Sequence, residues 1–62
     1  MKNYHAHFTQ ADDSFPQAIM IAVDGISDTH AYARAWIKFM ETKSYKDSPK
    51  GWELDLLEED KA

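Results

Sequence analysis

The order of segments in this 62-residue chain predicts a small α+β domain of ββαβ type. Its three-stranded, mainly antiparallel sheet is expected in the order 2-1-3, with one helix packed on one face. Three observations predict it. Residues 3 to 9 alternate apolar and polar side chains, residues 17 to 23 form a β-rich apolar run, and residues 28 to 41 are good helix formers behind a capping serine. A second alternating segment at 51 to 56 supplies the last strand.

In the first strand Tyr4, Ala6 and Phe8 fall on one face and Asn3, His5, His7 and Thr9 on the other. That is the pattern of a half-buried strand. Gln10 to Pro16 reads as a turn, because Asp and Ser bond locally to backbone and proline is excluded from a central strand. The second strand places Ile19, Ile21 and Val23 on one side and Ala18, Met20 and Ala22 on the other, so both of its sides are apolar. Asp24-Gly25 ends it.

Ser27 is the expected N-cap of the helix, with Asp28 where a carboxylate favours the positive end of the helix dipole. The apolar positions Ala35, Phe39, Tyr32, Trp36, Met40, Ala33 and Ile37 sweep an arc of roughly 200°, against the ~100° stripe of an ordinary surface helix. Ser44 to Lys50 reads as a polar loop, and Trp52, Leu54 and Leu56 as the inner face of the third strand. Residues 1–57 therefore form one domain, and 58–62 an acidic tail expected to fray. A strand–helix–strand connection within one sheet makes its two strands parallel, which places the first strand between them.

Composition narrows the function classes. With 44% hydrophobic and 13% aromatic residues, two glycines and two prolines, the chain is neither disordered nor low-complexity. It has no cysteine, hence no disulfide and no thiolate zinc site. The formal net charge is −4, a field that repels nucleic acid. The longest apolar run, Ala18 to Val23, is six residues, against the roughly 20 of a membrane span. Without an apolar signal segment, the expected location is the cytoplasm.

The charge is also polarised. Residues 34 to 50 carry five basic residues (Arg34, Lys38, Lys43, Lys46, Lys50) against two acidic ones, a net of +3. Tyr45 among the lysines has the form of a base-stacking platform, but the summed field favours solubilising lysines over a nucleic-acid site. Asp12, Asp13, Glu53, Asp55, Glu58 and Glu59 form the expected acidic surface.

Chemistry-bearing residues are few. His5 and His7 project from one strand face about 7 Å apart, a spacing that suits two metal ligands. No third ligand stands at motif spacing, and polar residues on an outer strand face are ordinary, so no metal or cofactor is expected. His30 sits in the first helical turn with no nucleophile or carboxylate spaced to couple to it. The expectation is a binding protein and not an enzyme. The second side of strand two (Ala18, Met20, Ala22) and the edges of the helical arc (Tyr32, Phe39, Ile37) are surplus apolar surface, and a symmetric homodimer hides both. The alternative is an inhibitor of the phage or mobile-element kind, docking an acidic, DNA-mimicking surface on a basic host protein. Strand–turn–strand, the Asp24-Gly25 exit and an alanine-rich helix over residues 3 to 42 resemble the opening half of HicB-type antitoxins in pattern. The hairpin turn lacks the glycines of that family, and no family is assigned.

Overall fold

The computed structural model describes residues 1–11 and 17–60. The chain runs β1 (Lys2–Gln10), β2 (Gln17–Gly25), α1 (Asp28–Met40), α2 (Lys43–Asp47) and β3 (Trp52–Asp60). The three strands form one sheet in the order β2-β1-β3, with β1 antiparallel to both neighbours. This is the α+β architecture that the alternation and the helix pattern predict.

Helix α1 begins where the sequence places it. Ser27 is extended and its hydroxyl accepts from the His30 N–H at 3.2 Å, closing one of the free donors of the first turn. The His30 ring folds back so that Nδ1 accepts from the Ile26 N–H at 3.0 Å, which makes this histidine part of the helix cap. Gly25 is required just before it. A Cβ there would lie 2.8 Å from the Ala31 backbone nitrogen, so only glycine lets the end of β2 and the first turn of α1 come this close.

Ala31, Ala35 and Phe39 are the helix residues that face the sheet, all with no exposed surface. They stand four residues apart, so the line is small, small, large. The two alanines let the helix backbone approach, and the large ring fills the wider end. Phe39 stacks on Phe8 with ring centres 4.1 Å apart and planes within 8°. Trp36, Trp52 and Tyr45 meet this pair edge-on. Tyr4, Ala6, Val23 and Trp52 complete the core, with Ile19, Ile21, Leu54 and Leu57 half-buried around it.

Three expectations are corrected. The polar stretch after α1 contains a helical turn, α2, because the Thr42 hydroxyl accepts from the Tyr45 N–H and caps it. The acidic segment does not fray at residue 58: β3 continues to Asp60, with Glu58 opposite His5 and Glu59 opposite Tyr4. Leu56 does not face the core. A bulge between the His7 and Phe8 pairings adds one residue to β3, so Leu54 lies opposite Phe8, Leu56 opposite His7 and Leu57 opposite Ala6. The period of two breaks there, Leu57 takes the inner position, and Leu56 is half exposed at 50%.

The end of the sheet is held by Gln10, whose buried amide donates to the Ser48 carbonyl, the Ser48 hydroxyl and the Lys50 carbonyl at 3.2, 2.9 and 2.9 Å. The Trp52 indole N–H donates to the same Ser48 carbonyl at 2.7 Å. Gly51 turns the chain into β3 with φ +83°, a region that favours glycine.

Candidate functional site: the open face of the sheet

The strands alternate, so the residues that do not enter the core form a second face, and among the described residues no element covers it. Its rows follow from the register. Ala18, Thr9 and Glu53 make one row. Met20, His7 and Leu56 make the next, Ala22, His5 and Glu58 the third, and Asp24, Asn3 and Asp60 the last. The columns differ in chemistry. β2 presents Ala18, Met20 and Ala22 with Asp24 at one end, β1 polar side chains, and β3 acids around one leucine. Met20 is 59% exposed and Leu56 50%, one on each side of His7.

His7 is half-buried in that row, and its Nε2 is shielded from solvent with no hydrogen-bond partner. His5 lies two residues along the same strand, with the Glu58 position directly across. Among the described residues no group of three or more His, Asp or Glu side chains has geometry that could hold a metal ion.

Both edges of the sheet are protected. At β2, the Arg34 guanidinium reaches Asp24 at 2.8 Å and the Lys38 ammonium donates to the Ala22 carbonyl at 2.7 Å, so α1 places two cations over the edge. At β3, the exposed Glu53, Asp55 and Glu58 line the edge with like charge. Charged edges discourage strand-to-strand addition.

The residues expected at an interface fall on different surfaces. Ala18, Met20 and Ala22 are exposed together on the open face. Tyr32 and Ile37 are exposed on α1, on the other side of the sheet, and they flank the helix separately: Tyr32 beside Leu57, Ile37 beside Val23. Phe39 is not at the surface at all. It is the centre of the aromatic core, because the helix turns its alanine-lined side inward and Phe39 lies on that side. Leu56 is the open-face residue that strand alternation misses, and the run Leu54-Asp55-Leu56-Leu57 is its one signal, since an extra residue there shifts the phase. Of the expected acidic surface, Glu53, Asp55 and Glu58 are exposed on β3, and Glu59 is half-buried 3.8 Å from Lys2. Asp12 and Asp13 lie outside the described residues.

Elsewhere the surface is shallow. A groove of about 350 Å³ runs between β2 and α1 over Val23 and Ile37, with Asp24, Arg34, Lys38 and Glu41 at its rim. Its charges balance in sign, and two of them are engaged with each other. Tyr45, the aromatic among the lysines, packs half-buried 5.7 Å from Phe39. Burial raises the Tyr4 phenol above its ordinary value, and its 2.9 Å hydrogen bond to Asp28 adds to the rise. This pair ties β1 to the start of α1. Among the described residues no helix is long and apolar enough to cross a membrane.

Comparison with protein families, with curated proteins and with solved structures finds no match to the chain. The likeness to HicB-type antitoxins is therefore one of segment order alone.

Proposed function

We propose that this chain is a non-enzymatic interaction module that self-associates through the open face of its sheet. One observation carries the reading: Met20 and Leu56 stand exposed on either side of His7 in the middle of an uncovered face whose two edges carry charge. Apolar side chains held in the interior of a flat surface and rimmed by charge have the composition of an interface, with an apolar centre and a polar rim. Protected edges disfavour growth of a continuous sheet and leave face-to-face packing as the route to association.

A binding role also fits the polar groups. His30, Gln10 and Tyr4 are each committed to holding the fold together, through the helix cap, the loop before β3 and the junction of β1 with α1. Catalysis needs polar groups that converge on a reactant, and these three serve separate places.

The test is the solution mass by light scattering behind a sizing column, at two protein and two salt concentrations. The expected result is a dimer fraction that rises with protein concentration and changes little with salt. Leu56→Glu should return the chain to monomer while its circular dichroism stays that of the parent. A parent that stays monomeric at the highest concentration overturns the reading.

A second reading rests on the exposed acids of β3, namely Glu53, Asp55 and Glu58. Here the chain is an inhibitor that lays this strand on a basic host protein. Such binding falls steeply with salt, because exposed charges are screened over about 10 Å at 0.1 M. Loss of partner binding in Glu53→Gln with Glu58→Gln, with Met20 and Leu56 variants unaffected, favours it over the apolar face.

A further inference from the structure

We infer that the favoured occupant of the open face is a basic amphipathic helix of another protein, laid along the strands with its apolar side on Met20 and Leu56. The inference rests on the reading of this face as the interaction surface and takes the sign of the partner's charge from the second reading. Self-association is then the weaker, competing use of the same side chains.

Charge selects the partner. The four rows of the face hold Asp24, Glu53, Glu58 and Asp60, and no Lys or Arg. Arg34 reaches Asp24 at 2.8 Å from α1, around the β2 edge, while Glu53, Glu58 and Asp60 are exposed along β3. The other described cations lie off this face. Lys2 shares the side of Tyr4, 3.8 Å from Glu59, and the rest belong to α1, α2 and the loop before β3. A chain that brings Lys or Arg therefore meets opposite charge, whereas a second copy brings the same acids.

Shape selects a helix. Each row lies two strand residues from the next, about 7 Å, so the Glu53 row and the Asp24–Asp60 row are about 20 Å apart. The outer strands are about 10 Å apart, close to the diameter of one helix. On the opposite face of the same sheet α1 fills this role with 13 residues, and at about 1.5 Å per residue a helix of that length spans the four rows. A lone extended segment laid here would leave its backbone N–H and C=O groups over side chains, while a helix satisfies its own.

The rows also set the pattern of the partner. Met20 and Leu56 lie one row from Glu53 on one side and one row from Glu58 on the other. Helix positions i−4, i and i+4 share a face at intervals of about 6 Å, so an apolar residue at i seats on the His7 row while Lys or Arg at i−4 and i+4 reach the two glutamates. In flat projection the face offers about 400 Å², half of the ~800 Å² per partner of a standard interface. The complex belongs to the transient class, in which charge steering speeds association.

The probe is a capped, stapled alanine-based helix of about 14 residues, with leucine at its centre and lysine at i−4 and i+4. A stapled peptide of the same composition in scrambled order and a version with glutamate for lysine are the controls. Binding to the full chain is followed by amide chemical shifts, and circular dichroism checks that each variant keeps the parent fold. The expected shifts are confined to the open-face residues around His7, Met20 and Leu56. Binding should weaken at least ten-fold between about 0.1 M and 1 M salt, as the screening length falls from about 10 Å to 3 Å. It should weaken as much in Glu53→Gln with Glu58→Gln and in Leu56→Ser, and be lost with the glutamate peptide. Equal binding of the scrambled peptide reduces the contact to net charge and overturns the inference. No binding by a chain whose open-face shifts change with its own concentration also overturns the inference, while the self-association reading stands. Shifts centred on the groove over Val23 and Ile37 move the contact off this face and overturn both.

Discussion

Along β1, Tyr4, Ala6 and Phe8 point one way and His5, His7 and Thr9 the other. The first set meets a helix and has almost no exposed surface. The second meets no other element among the described residues, and its neighbours Met20 and Leu56 are more than half and half exposed, at 59% and 50%. Both faces contain large apolar side chains, but only one has a covering element that matches its shape. Ala31 and Ala35 let α1 settle onto that face, and Phe39 closes it against Phe8. The difference teaches that apolar content alone does not say which face is core. Fit to a covering element does.

The largest expected effect separates the two faces. Phe39→Ala removes the ring stacked on Phe8 and leaves a cavity, at a cost of about 3–5 kcal/mol. A domain of this size rarely has more than about 3–5 kcal/mol in total. The variant should therefore show no cooperative thermal transition. Leu56→Ser on the open face should move stability by no more than about 0.5 kcal/mol in dilute solution, as surface changes do. A thermal melt of each variant by circular dichroism checks the pair. Equal destabilisation by the two would erase the distinction between the faces.

That contrast also marks how much of the molecule was legible in its residues. The period of two in β1 assigned its faces, Ser27 marked the start of α1, and the strand order followed from the connection rule. The orientation of α1 did not follow. Its apolar arc is wide enough to dock on either side, and the choice rests on how closely the backbone can approach. Gly25 against Ala31 is the one local sign of that approach. The bulge in β3 was hidden for a similar reason. Leu54, Leu56 and Leu57 fit either phase of alternation, and only pairing with β1 decides between them. Of the candidate site, the β2 column Ala18, Met20 and Ala22 was readable, and its counterpart Leu56 was not.

The close approach itself can be tested. In Gly25→Ala the new methyl meets the Ala31 backbone nitrogen at 2.8 Å, where neither side is a flexible side chain. The strand end or the first turn of α1 must shift, at a cost of about 1–3 kcal/mol, as for other overpacked sites. Urea unfolding should show a lower midpoint with an unchanged slope. A midpoint equal to the parent would mean that the helix rides further from the sheet, and the covered face would lose its main claim to close fit.

Alkaline pH probes the covered face without altering its shape. The Tyr4 phenol titrates above its ordinary value of 10.0 in the folded chain, chiefly through burial and then through its bond to Asp28. Above about pH 10 the unfolded chain gives up this proton more readily than the folded one, so the unfolded state binds fewer protons and stability falls as pH rises. Below that pH the contribution is complete. Denaturant midpoints measured from pH 8 to 11 should fall at the alkaline end, and Tyr4→Phe should flatten that part of the curve. An identical slope in the variant would assign the alkaline loss to other groups. The open face contributes no tyrosine to this titration, so the effect belongs to the covered side.

The smallest expected effect is on the open face and is a shift of zero. His5 and His7 share that face at a separation of about 7 Å, and Glu58 is opposite His5, but the described residues offer no set of three with ligating geometry. A ligand present at a hundred times its dissociation constant stabilises by about 2.7 kcal/mol. For a domain this small that is a rise of roughly ten degrees or more in the melting midpoint, far above the error of the measurement. Zinc or nickel added to the parent and to His5→Ala with His7→Ala should leave both midpoints unchanged. A rise in the parent that the double variant lacks would make these histidines ligands. If that rise also grew with protein concentration, the remaining ligands would come from a second copy. The open face would then resemble the covered one after all: a surface completed by the element laid across it, with the element supplied by another chain.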